Sequence, residues 1–167
     1  RVDGEWVVEH IAGAVGAPEA LGQFVHWEDG SSAKRRMSIL DMTVSDSGTP
    51  YLQVSSPTLA GVHLIEITAG GTLRRRIVAN QQNGLAAGPD GSVVVRQSAP
   101  GGSRFIDVRL DGSWRVLAGG GAFGLALADT HPAADLRFTT NSDFIAGPDG
   151  ALYFVEVTFG DPTNVYR

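Results

Sequence analysis

Short apolar runs, each broken by a tight turn, recur three times along this chain. Met42-Thr43-Val44 leads through Ser45-Asp46-Ser47-Gly48 to Tyr51-Leu52. Leu85-Ala86-Ala87 leads through Gly88-Pro89-Asp90-Gly91 to Val93-Val94-Val95. Phe144-Ile145-Ala146 leads through Gly147-Pro148-Asp149-Gly150 to Leu152-Tyr153-Phe154. Pro presets one turn dihedral, and Asp and Gly tolerate the others, so each segment predicts a β-hairpin. A second signature lies between them. Asp111-Gly112-Ser113-Trp114 resembles Asp3-Gly4-Glu5-Trp6, with a looser copy at Gly70-Gly71-Thr72-Leu73, and the runs 64–68 and 105–110 before these turns alternate apolar with polar. Period-two alternation around such a pair predicts a second hairpin.

The repeating unit is therefore four antiparallel strands in roughly 40 to 50 residues, which is one blade of a β-propeller. The fold class expected is all-β, with blades at about 39–80 and 84–120 and a third in 143–167. The spacing is uneven, 43 residues from Gly48 to Gly91 and 59 from Gly91 to Gly150. The surplus falls in an insert at 119–140, matched by another at 13–36, and each holds a stretch with some helical character (18–24 and 132–138). Long connections of this kind gather at one mouth of a propeller channel, where recognition usually resides.

The two ends fit one template. Aligned on the third strands (Ile65-Glu66-Ile67 and Ile106-Asp107-Val108), Val165-Tyr166-Arg167 begins another copy, and Arg1 to Trp6 continues it without a gap, Arg1 matching Arg109 and Trp6 matching Trp114. Residues 3–11 are thus expected to complete the blade of 143–167. Three blades fall short of the four to eight of a closed ring. The expectation is either a homodimer of two half-rings that exchange a strand or a segment of a longer chain. A half-ring alone would expose apolar faces and unpaired strand edges.

Composition narrows the function classes. The net charge of −5 argues against a nucleic-acid surface, which needs a basic footprint, and gives no reason to expect a membrane partner. Cysteine is absent, which removes thiol chemistry and disulfides. The first residue is Arg, so the lack of a signal-peptide pattern carries no information about compartment.

At this point the residues carry a resemblance. Ile145 to Glu156 and Leu85 to Val95 resemble the inner hairpins of NHL-repeat propellers and those of the related streptogramin lyases and gluconolactonase-like proteins. Val116 to Phe154 is similar to the NHL pattern of a strand ending in Ala-Gly, a Gly-rich loop, a small helical turn and the next inner strand. Teneurin-type surface proteins carry propellers of this sort. The resemblance implies an extracellular or cell-surface setting and ligands at the channel mouth, where the inner strands start.

The repeat alignment places Leu40, Asn83 and Ser142, then Asp41, Gly84 and Asp143, at that mouth. The family's amidating lyases use zinc-binding histidines there, and no His occupies these positions. The gluconolactonase-like relatives hold a divalent cation through Glu, Asn and Asp. Asp41, Asn83, Asn141 and Asp143 are the comparable set, with oxygen donors suited to Ca or Mg. The simpler role for these carboxylates is to guide the chain into the strand or face channel water. His26, Trp27, Glu28 and Asp29 in the first insert combine an aromatic with acids and are candidates for binding a sugar or peptide; a solvated loop is the plainer account. Trp6 and Trp114 share a phase, which suggests packing between blades. No nucleophile elbow or phosphate loop is present. The chain therefore reads as a binding scaffold for a protein, peptide or glycan rather than an enzyme, with no cofactor required. The alternatives are a metal-dependent lyase or lactone hydrolase, and a purely structural half-propeller.

Overall fold

The structure, a computed structural model, describes residues 30, 38–55, 62–78, 81–100, 102–124, 132–138, 143–147, 149–156 and 164–167. The first sheet is β1 (Ser38–Val44), β2 (Pro50–Ser55), β3 (Val62–Ile67) and β4 (Leu73–Val78), antiparallel in sequence order. The second repeats it with β5 (Gln81–Ala87), β6 (Val93–Ala99), β7 (Gly102–Val108) and β8 (Trp114–Gly119). A short parallel pair follows, β9 (Phe123–Gly124) and β10 (Leu136–Arg137). The third sheet contains β11 (Asp143–Ala146), β12 (Leu152–Glu156) and β13 (Asn164–Tyr166). The strand expected at 3–11 lies outside the described residues.

The hairpins close the same way throughout. Ser45, Gly88 and Gly147 donate their N–H to the carbonyls of Thr49, Ser92 and Ala151, at 3.0, 2.9 and 2.8 Å. Thr68 and Arg109 do the same with Thr72 and Ser113, both at 2.9 Å. The loop ends in a glycine of positive φ each time, Gly48 (80°), Gly71 (70°), Gly91 (76°), Gly112 (85°) and Gly150 (76°), with Asp90 (57°) also left-handed just before Gly91. A side chain there would meet the left-handed penalty of about 1–2 kcal/mol. That is the physical content of the recurring Asp-Gly and Gly-Gly signatures.

The sheets stand side by side through their first strands, with β5 packed between β1 and β11. Both faces of an internal sheet are therefore buried, and its strands are apolar without alternation. Val93, Val94 and Val95 are each no more than 1% exposed. One core joins Tyr51 and Leu64 of the first sheet to Val93, Val95, Ile106 and Val108 of the second. Another joins Ala86, Val94, Phe105 and Ala118 of the second to Phe144 and Phe154 of the third. Phe138 enters this second core from the connection, edge-on to Phe105 (centroids 5.2 Å apart) and to Phe154 (4.4 Å). Such geometry suits the aromatic quadrupoles. This is the arrangement of propeller blades.

One expectation is met in part and one needs correction. The segment 132–138 carries its helical character in a single 3-10 turn (Ala133–Asp135) and then forms β10. Its carbonyls are drawn into the edge of the second sheet, where Ser103 donates to Phe138 (2.9 Å) and Gly121 to Leu136 (3.0 Å). A Cβ on Gly121 would collide with the Asp135 carbonyl, which explains glycine at this point of the Gly119-Gly120-Gly121 run. Trp114 does not pack between blades. It is 50% exposed on the outermost strand, with the Arg104 guanidinium 5.5 Å from its ring centroid.

Candidate functional site

The channel side of the molecule is built by β1, β5 and β11. Asp41, Gly84 and Asp143 occupy one phase of these strands, one step before Met42, Leu85 and Phe144. Asp41 is half-buried. Its Oδ1 accepts the N–H of Met42 (2.8 Å), and its Oδ2 reaches across to accept the N–H of Leu85 (2.8 Å). The carboxylate therefore links the inner strands of two blades. Leu85 follows an irregular entry of β5, whose pairing with β6 shifts between Gln81 and Leu85. Gly84 sits in the irregular stretch at φ 135°.

Gln53, buried on β2, deals with the rest of the break. Its Oε1 accepts the Gly84 N–H (3.0 Å) and its Nε2 donates to the Gly84 carbonyl (3.4 Å). A buried backbone amide left unpaired would cost about 1–3 kcal/mol, so the side-chain amide substitutes for a missing ladder rung. Gly84 is further fixed by packing, since a Cβ there would lie 2.7 Å from the Phe144 ring.

Asp143 repeats half of the Asp41 arrangement. Its Oδ1 accepts the N–H of Phe144 (2.9 Å), and the residue is exposed. Arg96, half-buried on β6, senses both acids. Burial pulls its guanidinium below the ordinary arginine value, while Asp143 and then Asp41 push it back up. Both carboxylates thus act electrostatically on the Arg96 guanidinium. Asn83 precedes Gly84 in β5, and its side chain lies outside the described residues. Asn141, His26, Trp27, Glu28 and Asp29 lie outside them altogether. The structure brings Asp41 and Asp143 to the same rim but gives Asp41 two backbone partners. Among the described residues, no three His, Cys, Asp or Glu side chains converge as a metal site would require.

A second cavity, of about 460 Å³, opens at the far end of the second sheet between its two hairpin turns. Its floor is Asp107, which is 2% exposed and which the sequence reading did not single out. Asp107 Oδ2 receives Arg115 Nε at 3.2 Å, with Arg109 Nε at 3.9 Å, and its Oδ1 has no hydrogen-bond partner among the described residues. At the cavity rim, Asp111 accepts the hydroxyl and N–H of Ser113 (2.6 and 2.8 Å), which hold its carboxyl below the usual range. The signal for Asp107 was available: an acid flanked by apolar residues on aligned third strands. In the first sheet Glu66 lies opposite Arg74 and pairs with Arg76. In the second, Asp107 lies opposite Arg115. The cross-strand ion pair is thus part of the repeat, and the shorter Asp leaves the hollow beneath it.

No family model matches the chain, and no curated protein matches it. A crystal structure of a candidate gluconolactonase is similar, with a TM-score of 0.50 and 14% sequence identity over 83% of this chain. The likeness at that identity is one of fold, and it agrees with the all-β, propeller-like architecture. This chain spans about half of that protein, 47% of its length.

Proposed function

We propose that this chain is a non-catalytic propeller scaffold, which presents its channel mouth and long connections to a protein, peptide or glycan. The observation that carries the reading is the bonding of Asp41. The acid best placed to hold a channel cation has both oxygens engaged by backbone N–H groups and joins two blades instead. The pull of both acids on the Arg96 guanidinium adds to the case. Recognition then falls to the inserts 13–36 and 119–140, with His26, Trp27, Glu28 and Asp29 as the first residues to test. The NHL-type assignment and an extracellular or cell-surface setting belong to this proposal and rest on the resemblance of the hairpins.

The second reading is a lactone hydrolase, or a lyase, with Ca or Mg at the channel, supported by the fold likeness to the candidate gluconolactonase. Fold alone does not transfer chemistry. Calorimetric titration with Ca and Mg, paired with a lactone-hydrolysis assay, separates the two. The scaffold reading expects neither saturable cation binding nor turnover. Saturable binding and hydrolysis that both disappear in Asp41→Asn and Asp143→Asn would establish the enzyme instead.

A further inference from the structure

At the two ends of the three-sheet row, the inner strands expose positions whose counterparts are more covered at the junctions inside it. Met42, Leu85 and Phe144 are equivalent residues on the side of each inner strand that faces the preceding blade. Leu85 is half-buried against the first sheet and Phe144 is 6% exposed, but Met42 is 55% exposed. Leu40 and Val44 beside it are exposed as well. On the opposite side, Thr43, Ala86 and Ile145 are equivalent. Thr43 is half-buried and Ala86 is 7% exposed, whereas Ile145 is 67% exposed. Their cross-strand partners follow suit: Tyr51 and Val94 are buried, while Tyr153 is only half-buried beside an open apolar cavity of about 160 Å³ that it shares with Ile145 and Val155.

From this we infer that the Ile145–Tyr153 face of one chain docks on the β1 strip of a second copy, so that two chains close one ring. The internal junctions supply the template. At each of them, the face that Ile145 represents meets the face that Met42 represents. A second copy brings the missing partner for both ends at once, through two identical contacts related by a two-fold axis. Asp41 Oδ2 accepts the N–H of the next inner strand, whereas Asp143 Oδ2 carries no hydrogen bond among the described residues. The Met42 N–H is already taken by Asp41 Oδ1 of its own chain, as the Phe144 N–H is by Asp143, so the contact rests on the apolar faces. On the β1 side the contact follows the inner strand, because Leu52, Val54, Ile65 and Ile67 behind it are already buried. The inference goes beyond the scaffold reading and does not depend on what the channel binds.

Sedimentation equilibrium on the full 167-residue chain tests it, and the expected mass is that of two chains. Met42→Glu and Ile145→Lys each place a charge on a side chain that is exposed in the single chain, so circular dichroism should stay unchanged. Each variant alone is expected to weaken the pair by about 100-fold or more, since the charge is desolvated in both junctions. Mixing the two variants is expected to restore the pair, because one junction then keeps Met42 against Ile145 and the other sets the introduced charges together. Three results would overturn the inference: a one-chain mass for the unaltered protein, as expected if further segments of a longer chain cover these faces; an assembly that grows without limit as concentration rises; and a pair insensitive to both variants.

Discussion

Asp41 shows how a residue placed for ligand chemistry is absorbed by the fold. Its carboxylate holds the N–H of Met42 on its own strand and the N–H of Leu85 on β5, and so ties two inner strands together. Asp41→Ala should lower stability by about 1–3 kcal/mol in urea denaturation, the penalty for an unpaired buried amide, and Asp41→Asn should cost less because one acceptor survives. Asp149 in the third hairpin makes a pH prediction. The N–H of Ala151, aided by Arg167, holds its carboxyl below the usual value of 3.8. A depressed folded pKa means stabilisation that is complete above the unfolded value and lost as pH falls through the folded one. The melting temperature of the unaltered chain should therefore exceed that of Asp149→Asn at neutral pH, and the gap should close below about pH 4. A gap that persists at pH 2 would contradict this account of the turn. The repeat alignment identified Asp41 and Asp143 as a matched pair. Which N–H each carboxylate meets depends on the neighbouring blade, and no local pattern holds that information.

At the scale of elements, hairpins are the legible unit because turn chemistry is local. Gly48, Gly71, Gly112 and Gly150 are needed where the loop turns left-handed, and the strands on either side follow. Packing between elements is less legible. Trp114 shares a phase with Trp6, yet the fourth strand is the outer edge and its Trp remains half in solvent. Phe138 reads as part of a loop, but the connection folds back onto β7 and β8 and drives the ring into the aromatic core. That core makes the strongest stability prediction. Phe105 is fully buried and touches Phe138, Phe144 and Phe154. Phe105→Ala should cost about 3–5 kcal/mol, read as a fall in the urea midpoint without a change in slope. A loss below about 1 kcal/mol would mean that the second and third blades do not share a core in solution.

For the whole molecule, the repeat reads as three blades' worth of strands. The third sheet has three described strands, and the outer faces of the row carry Met42 and Ile145 where inner junctions carry buried counterparts. What periodicity could not convey is which faces remain open, since that depends on how all three sheets line up. The absence of cysteine permits a direct test. Chains carrying Met42→Cys are mixed with chains carrying Ile145→Cys and treated with a short bismaleimide. Two blade faces that meet as the internal ones do will give a covalent pair of one chain of each kind. If both thiols are modified and every chain still migrates alone, the central claim that these faces seek each other is contradicted.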